Sequence, residues 1–359
     1  MADDYTLTAH DDASGVTLTK RAAFHPDGRP AEGLFDAWVT LDNPDRFNAY
    51  TTDMLKGMLT ALAQAGDDPS VVAVVLTGAG VKAFCSGGDV GHYAAHFAAN
   101  PPAFNRYMRL YGEVITALLS CPKPTVCRVN GMRLGGGQEF GLACDFSISS
   151  DLALFAQGGV KLGSAQEGGI TDFLPLFVGI EAAHNACTVD APWSAYKALR
   201  LGMITDAVPV LTVDGAIVAN PLVHTETYVQ GGRIVYGEGL TGDALRAAKG
   251  KLKSGTVDLA PLDRRVAEQC AKLLELMPAT LEKALLSLRK HKLDRWHANK
   301  DANRQWMAAQ AATEAGLGFR AFAEGPKSQR FIDHAELRRA LAAGEPWSAA
   351  LVERLLPQG

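Results

Sequence analysis

The chain has 359 residues, 47% of them hydrophobic and 21% charged, with a net charge of −4 at neutral pH. That balance fits a globular protein of one or two domains with a large core, and it leaves no basic patch for nucleic acid and no polybasic stretch for a membrane surface. Six cysteines, at 85, 121, 127, 144, 187 and 270, show no CxxC or zinc spacing and sit mostly in apolar runs, as reduced thiols do. The amino terminus, MADDYTLTAHDDASG, is acidic and polar where a secretion signal is basic and then apolar, and no run of about 18 apolar residues occurs. The expected location is the cytoplasm.

Branched and aromatic residues followed by turn formers predict strands over GLFDAWVTLD (33–42) and VVAVVLT (71–77). Between them, TTDMLKGMLTALAQA (51–65) opens on a Thr and Asp cap and places Met54, Leu55, Met58, Leu59 and Leu62 at helical spacing. There follow a glycine-rich loop at 78–91, a helical stretch RYMRLYGEVITALLSC (106–121) and a strand PTVCRVN (124–130). A helix from about Gln138 to Ala143 and a strand DFSISS (145–150) complete the series. Strands alternating with helices predict an α/β fold with right-handed crossovers. From 209 to 257, Gly, Pro and short β-like pieces replace the alternation, as in an inserted segment. From 258 to 359 the chain is helical, and such a tail needs a surface to cover, either its own core or a neighbouring subunit. The expected division is therefore a core over 1–208, an insertion over 209–257 and a helical region over 258–359.

Residues 129–146, VNGMRLGGGQEFGLACDF, place three consecutive glycines and one carboxylate, Glu139, in a run that otherwise reads as buried strand and buried helix. A glycine run before a helix leaves backbone N–H groups uncovered and aimed where the helix dipole is positive, which favours an oxyanion. The loop AFCSGGDVG (83–91) has the same character. Two such loops can each direct one N–H at a single carbonyl oxygen; taken singly, either loop also fits a tight turn packed on the sheet. A buried glutamate with no partner is rare, so Glu139 calls for a role.

Four ordered motifs, LDNPDRFNAY (41–50), AFCSGGDV (83–90), PTVCRVNGMRLGGGQEFGLACDFSISS (124–150) and LGSAQEGGITDFLPLFVG (162–179), closely resemble the crotonase (enoyl-CoA hydratase/isomerase) superfamily. The resemblance covers about residues 33–209 well and the distal helices more loosely. It implies a crotonase-like ββα spiral core with a C-terminal helical trimerisation region, an acyl-CoA substrate, no separate cofactor and no metal, and a homo-trimer or hexamer. It also implies that the N–H groups of Gly88 and Gly136 hold the thioester oxygen and that Glu139 is an acid/base carboxylate. Hydratases of the family carry a second glutamate where FAQGG places Gly159, so hydration by a glutamate pair does not carry over. Glu167 aligns with a catalytic aspartate of dienoyl-CoA isomerases and is the best replacement, with Asp172 a third candidate; a solvated loop charge and a helix cap are the plain alternatives. For coenzyme A, the family runs the adenine along the loop at 83–87, here Ala83, Cys85 and Gly87. Arg46 and Lys82 are candidates for the phosphates, with ordinary surface charge the alternative.

VDGAIVANPLV, GTVDLAPLD, GFRAFAEG and GEPWS extend the likeness over nearly the whole chain to a ring-opening subgroup of the family, from anaerobic benzoyl-CoA degradation. That resemblance implies two water additions, one across a conjugated C=C and one at a ring ketone whose C–C bond then breaks. The rivals are a hydratase or isomerase without C–C cleavage and a non-catalytic CoA-ester binding protein. GEGLTG (237–242) fits a dinucleotide fingerprint but has no doubly wound unit around it, and HYAAH (92–96) lacks the Glu of a zinc motif. No GxSxG elbow occurs, which disfavours an acyl-enzyme thioesterase.

Overall fold

The computed structural model describes residues 15–189 and 191–357; most of the acidic amino-terminal stretch lies outside the described residues. A six-stranded sheet runs in the order Val16–Phe24, Pro30–Leu41, Val71–Gly78, Thr125–Val129, Phe146–Ser150 and Asp206–Val208. The first two strands form an antiparallel hairpin and every later neighbour is parallel. Parallel neighbours need crossovers, and the helices Thr52–Asp67, Pro101–Leu119 and Gly136–Ala143 supply them. A second, four-stranded sheet collects the short strands Ala83–Cys85, Met132–Leu134, Leu154–Ala156 and Trp193–Ser194. The chain thus repeats one unit: a long strand in the large sheet, a short strand in the small one, then a helix or turn that carries it back.

The loop expected over 78–91 therefore contains a buried strand, Ala83–Cys85, and the start of a helix, Val90–His96. Three-residue strands buried on both faces show no alternation, so periodicity does not reveal them. The helix expected from 106 begins at Pro101, where the Asn100 side chain accepts from the Ala103 N–H. Thr51 caps its helix as the sequence predicts, accepting from the Met54 N–H at 3.3 Å.

Alternating residues of the large sheet serve two cores. Val74 and Leu76 face the helices Thr52–Asp67 and Pro101–Leu119, while Trp38, Ala73, Val75 and Val126 face Leu262, Val266 and Cys270 of the helix Ala260–Leu274. The tail covers this chain's own core. The segment 209–257 forms a three-stranded antiparallel piece, a hairpin of Tyr228–Gln230 with Arg233–Val235, and the helix Gly242–Ser254. The strand before GEGLTG belongs to that isolated hairpin, so the parallel βαβ unit a dinucleotide site requires is not built there. All six cysteines are buried and free. Among the described residues no helix is long and apolar enough to cross a membrane.

Candidate active site

The strand Met132–Leu134 ends at Gly135, whose φ of 53° and ψ of −129° reverse the chain directly into the helix Gly136–Ala143. Only glycine adopts that backbone readily. The helix starts two residues earlier than the sequence predicts, so Gly136 is its first residue and its N–H is one of the donors a helix leaves without an intrahelical partner. Opposite, the Tyr50 N–H donates to the Gly87 carbonyl at 3.0 Å and the Asp89 N–H donates to the Tyr50 carbonyl at 3.2 Å. In this parallel bridge Tyr50 bonds the two residues flanking Gly88, so the N–H of Gly88 points away from it. Neither the Gly88 nor the Gly136 N–H has an acceptor among the described residues. Both glycines line one cavity of about 320 Å³. A Cβ on Gly88 would collide with the Tyr93 ring and one on Gly136 with the Tyr50 hydroxyl, so close packing requires both to be glycine.

Glu139 lies one turn into the same helix, 5% exposed, and faces this cavity. Its Oε2 accepts from the Tyr111 hydroxyl at 2.5 Å and its Oε1 from the Gly168 N–H at 3.0 Å. Burial pushes its pKa up to about 7, against the Tyr111 and Gly168 hydrogen bonds, which favour the carboxylate. Tyr111 itself is held well above its ordinary range by burial and then by the Glu139 charge, so it stays a donor. Gly168 can approach because it has no side chain: a Cβ there would strike Glu139 and Tyr111.

Glu167, the neighbour of Gly168, is half-buried on the wall of the cavity, and burial, then the Asp172 charge, raises its pKa. Asp172 does not line the cavity; its Oδ1 accepts from Asn299 at 2.6 Å, and burial raises its pKa too. Gly159 lines the cavity where family hydratases carry a glutamate, yet the direction of a Cβ is occupied by the Ser164 carbonyl. The position a longer side chain would take there is therefore filled by backbone. Of the residues expected near coenzyme A, Gly87 lines the cavity, whereas Arg46, Lys82, Ala83 and Cys85 do not. Arg46 is exposed and pairs with Asp89 at 2.9 Å; Lys82 is exposed. The Ala83 carbonyl accepts from the side chains of Asn48 and Asn130, each at 2.8 Å, which fastens this loop to the large sheet. Burial pushes the Cys85 thiol up to about 12.

Several residues of the site are not singled out by sequence patterns. Tyr50 and Tyr111 stack with ring centroids 5.4 Å apart, and Met307, Phe319, Phe322 and Phe331 bring the distal helices and the loop after them to the cavity. Beneath the glycine turn, fully buried Arg133 donates from Nε to Gln138 at 2.6 Å and from Nη1 to Ser147 at 2.8 Å. Lys292, on the helix Pro278–Gln310, donates to the carbonyls of Leu142, Ala143 and Cys144 at 2.9–3.1 Å and caps the far end of the Glu139 helix.

A spiral of ββα units, two glycine N–H groups without acceptors and a buried carboxylate on the second glycine helix define the class: the chain belongs to the enoyl-CoA hydratase/isomerase family, whose model matches residues 37–220. Among its relatives it is 50% identical to 6-oxocyclohex-1-ene-1-carbonyl-CoA hydrolase of Geobacter metallireducens, over 95% of this chain and 90% of that one. It is 48% identical to the protein of the same name from Thauera aromatica, over 99% of this chain and 94% of that one. Among solved structures, an enoyl-CoA hydratase from Bacillus halodurans superposes with a TM-score of 0.63 at 18% identity, over 85% of this chain and 99% of that one, which bears on the fold alone.

Proposed function

We propose that this chain hydrolyses 6-oxocyclohex-1-ene-1-carbonyl-CoA to 3-hydroxypimeloyl-CoA, the ring-opening step of anaerobic benzoyl-CoA degradation. The names of relatives about half identical over nearly the whole chain support this substrate. The observation that carries the chemistry is Glu139, with a pKa of about 7, facing one cavity with two N–H groups that lack acceptors.

In the first half of the reaction a water oxygen bonds to the β-carbon of the conjugated C=C while Glu139 takes its proton. The electron pair moves into the thioester oxygen, where the Gly88 and Gly136 N–H groups hold the negative charge, and the α-carbon then takes up a proton. In the second half another water adds to the ring ketone. The bond between that carbon and the α-carbon breaks, its electron pair passes into the same thioester enolate, and the former ketone carbon becomes the carboxylate at the far end of the opened chain as the α-carbon is protonated. One oxyanion site thereby serves both steps. Glu167 handles the second set of protons from the cavity wall, and Asp172 acts on it through its charge. Coenzyme A enters as part of the substrate, its adenine along the outer part of the loop at Ser86 and Gly87 rather than against the buried Ala83 and Cys85, and its phosphates near the exposed Arg46 and Lys82, and no further cofactor takes part. The same reading divides the chain into a catalytic core to residue 208, an insertion to 257 and a helical region beyond, and assembles it as a homo-trimer or hexamer.

Turnover of the named thioester in oxygen-18 water tests this. The expected product is two waters heavier, with label in the new hydroxyl and the new carboxylate; a product one water heavier makes the protein a hydratase. Glu139→Gln is expected to lower kcat by about 10²–10⁴-fold with thioester binding kept, and full activity would remove Glu139 from the mechanism.

A further inference from the structure

Tyr50 spans the two N–H groups of the cavity. Its backbone makes the parallel bridge that turns the Gly88 N–H away from it, and its side chain lines the cavity with the hydroxyl standing where a side chain on Gly136 would be. The ring is held by Tyr111, stacked at 5.4 Å between centroids, and by Phe140, tilted at 5.1 Å.

Two other tyrosine hydroxyls stand nearby, and both are committed. Tyr111 donates to Glu139, and Tyr93, packed against Gly88, is bonded to Tyr107 at 2.8 Å. The Tyr50 hydroxyl has no carbonyl or carboxylate acceptor among the described residues; its hydrogen-bonding neighbour is Tyr93. With the Tyr107 proton on Tyr93 and the Tyr93 proton on Tyr50, the Tyr50 proton is left for a ligand, and each bond in such a chain polarises the next. A phenol is neutral at ordinary pH, and burial holds this one well above its usual range, so it stays a donor.

The substrate brings an oxygen to this place. On the reading proposed above, the ring ketone is attached to the α-carbon, as the thioester is, so the two carbonyl oxygens stand in a 1,3-relation and lie side by side. With the thioester oxygen on the Gly88 and Gly136 N–H groups, a donor for the ketone oxygen has to stand next to that pair. We propose that Tyr50 is a further catalytic residue, whose hydroxyl donates a hydrogen bond to the ring ketone oxygen. As the second water adds, its oxygen bonds to the ketone carbon, its proton passes to Glu167, and the C=O electron pair moves onto the oxygen that Tyr50 holds. That pair re-forms the C=O as the bond to the α-carbon breaks into the thioester enolate, and Tyr50 keeps its own proton throughout. During the first water addition the charge is shared between the two oxygens, whereas in the second it sits on the former ketone oxygen alone. Tyr50 therefore matters most to ring opening.

Tyr50→Phe removes the hydroxyl and keeps the ring, and because the hydroxyl serves no carbonyl or carboxylate of the chain the urea midpoint should not move. With 6-oxocyclohex-1-ene-1-carbonyl-CoA, the variant is expected to open the ring about 10²–10³-fold more slowly and to slow the first water addition less, so that the species one water heavier accumulates in the mass spectrum. Both proteins should bind cyclohexane-1-carbonyl-CoA, which has the ring without the ketone, within about twofold of each other. Ring opening at the wild-type rate, or a loss equal in both halves with no one-water species, would overturn the role of Tyr50. So would a large loss of cyclohexane-1-carbonyl-CoA binding, which would make Tyr50 a support of the thioester site. The inference rests on the ring-opening reading: a wild-type protein that leaves the ring closed overturns both, whereas any of the failures confined to the variant removes Tyr50 alone.

Discussion

Glu139 and Tyr111 work as a pair in which one side chain sets the proton affinity of the other. Burial drives the carboxyl up to about 7, and the 2.5 Å hydrogen bond from Tyr111 restrains that rise by stabilising the ionised form. Tyr111→Phe removes the restraint while keeping the ring that stacks on Tyr50. The pKa of Glu139 should then climb further, so the rising limb of kcat/KM against pH should move to higher pH. At pH 7 the loss should be about tenfold for each unit of displacement, and it should shrink toward pH 9. A loss equal at every pH would mean that the hydroxyl acts otherwise. Glu139 was legible in the sequence because a carboxylate in an apolar helix stands out. Tyr111 was not, since Tyr107 and Tyr111 sit four residues apart in an amphipathic helix, the spacing of ordinary core aromatics.

At the scale of elements, the helix Pro278–Gln310 holds the catalytic region in place through buried charge. Arg289 donates to both oxygens of Asp145, at 2.7 and 2.5 Å, and Asp145 in turn accepts from the N–H and hydroxyl of Thr125 at the start of a central strand. Both charged side chains are almost wholly buried, 2% and 6% exposed. Arg289→Ala would leave the Asp145 carboxylate without its counter-charge and should cost about 3–5 kcal/mol, read from the urea midpoint. Replacing Arg289 and Asp145 together by apolar residues should cost less than the single change. That the tail is helical followed from its periodicity, but its anchors did not. In LEKALLSLRKHKLDRW, Arg289 and Lys292 look like members of a solvated charged face, and only the packing shows that they are buried cations of the molecule.

At the scale of the molecule, the alternation of strand and helix and the break at 209–257 were readable because each long element carries its own period. The small sheet was not, because three-residue strands carry none, and the joining of distal aromatics to the cavity depends on contacts that no local pattern encodes. The exposed apolar side chains of Ile180, Val189, Met277 and Leu288 mark surface that a monomer would leave wet. Sedimentation should give the mass of a trimer or hexamer, and Met277→Glu with Leu288→Glu should shift it toward the monomer; a wild-type monomer would contradict the proposed assembly. Lys292 carries a further consequence. The helix Gly136–Ala143 is only about 12 Å long, so its negative end lies near enough to subtract from the potential at Gly136. With an ammonium seated on its last carbonyls that pole is cancelled, and the Gly136 N–H, the proposed donor to the thioester oxygen, stands at something closer to a single positive charge than to a dipole. Burial pulls the Lys292 pKa down to about 8, so this monopole persists through neutral pH and fades in alkali. A side chain some 150 residues along the chain thereby belongs to the electrostatics of the glycine turn.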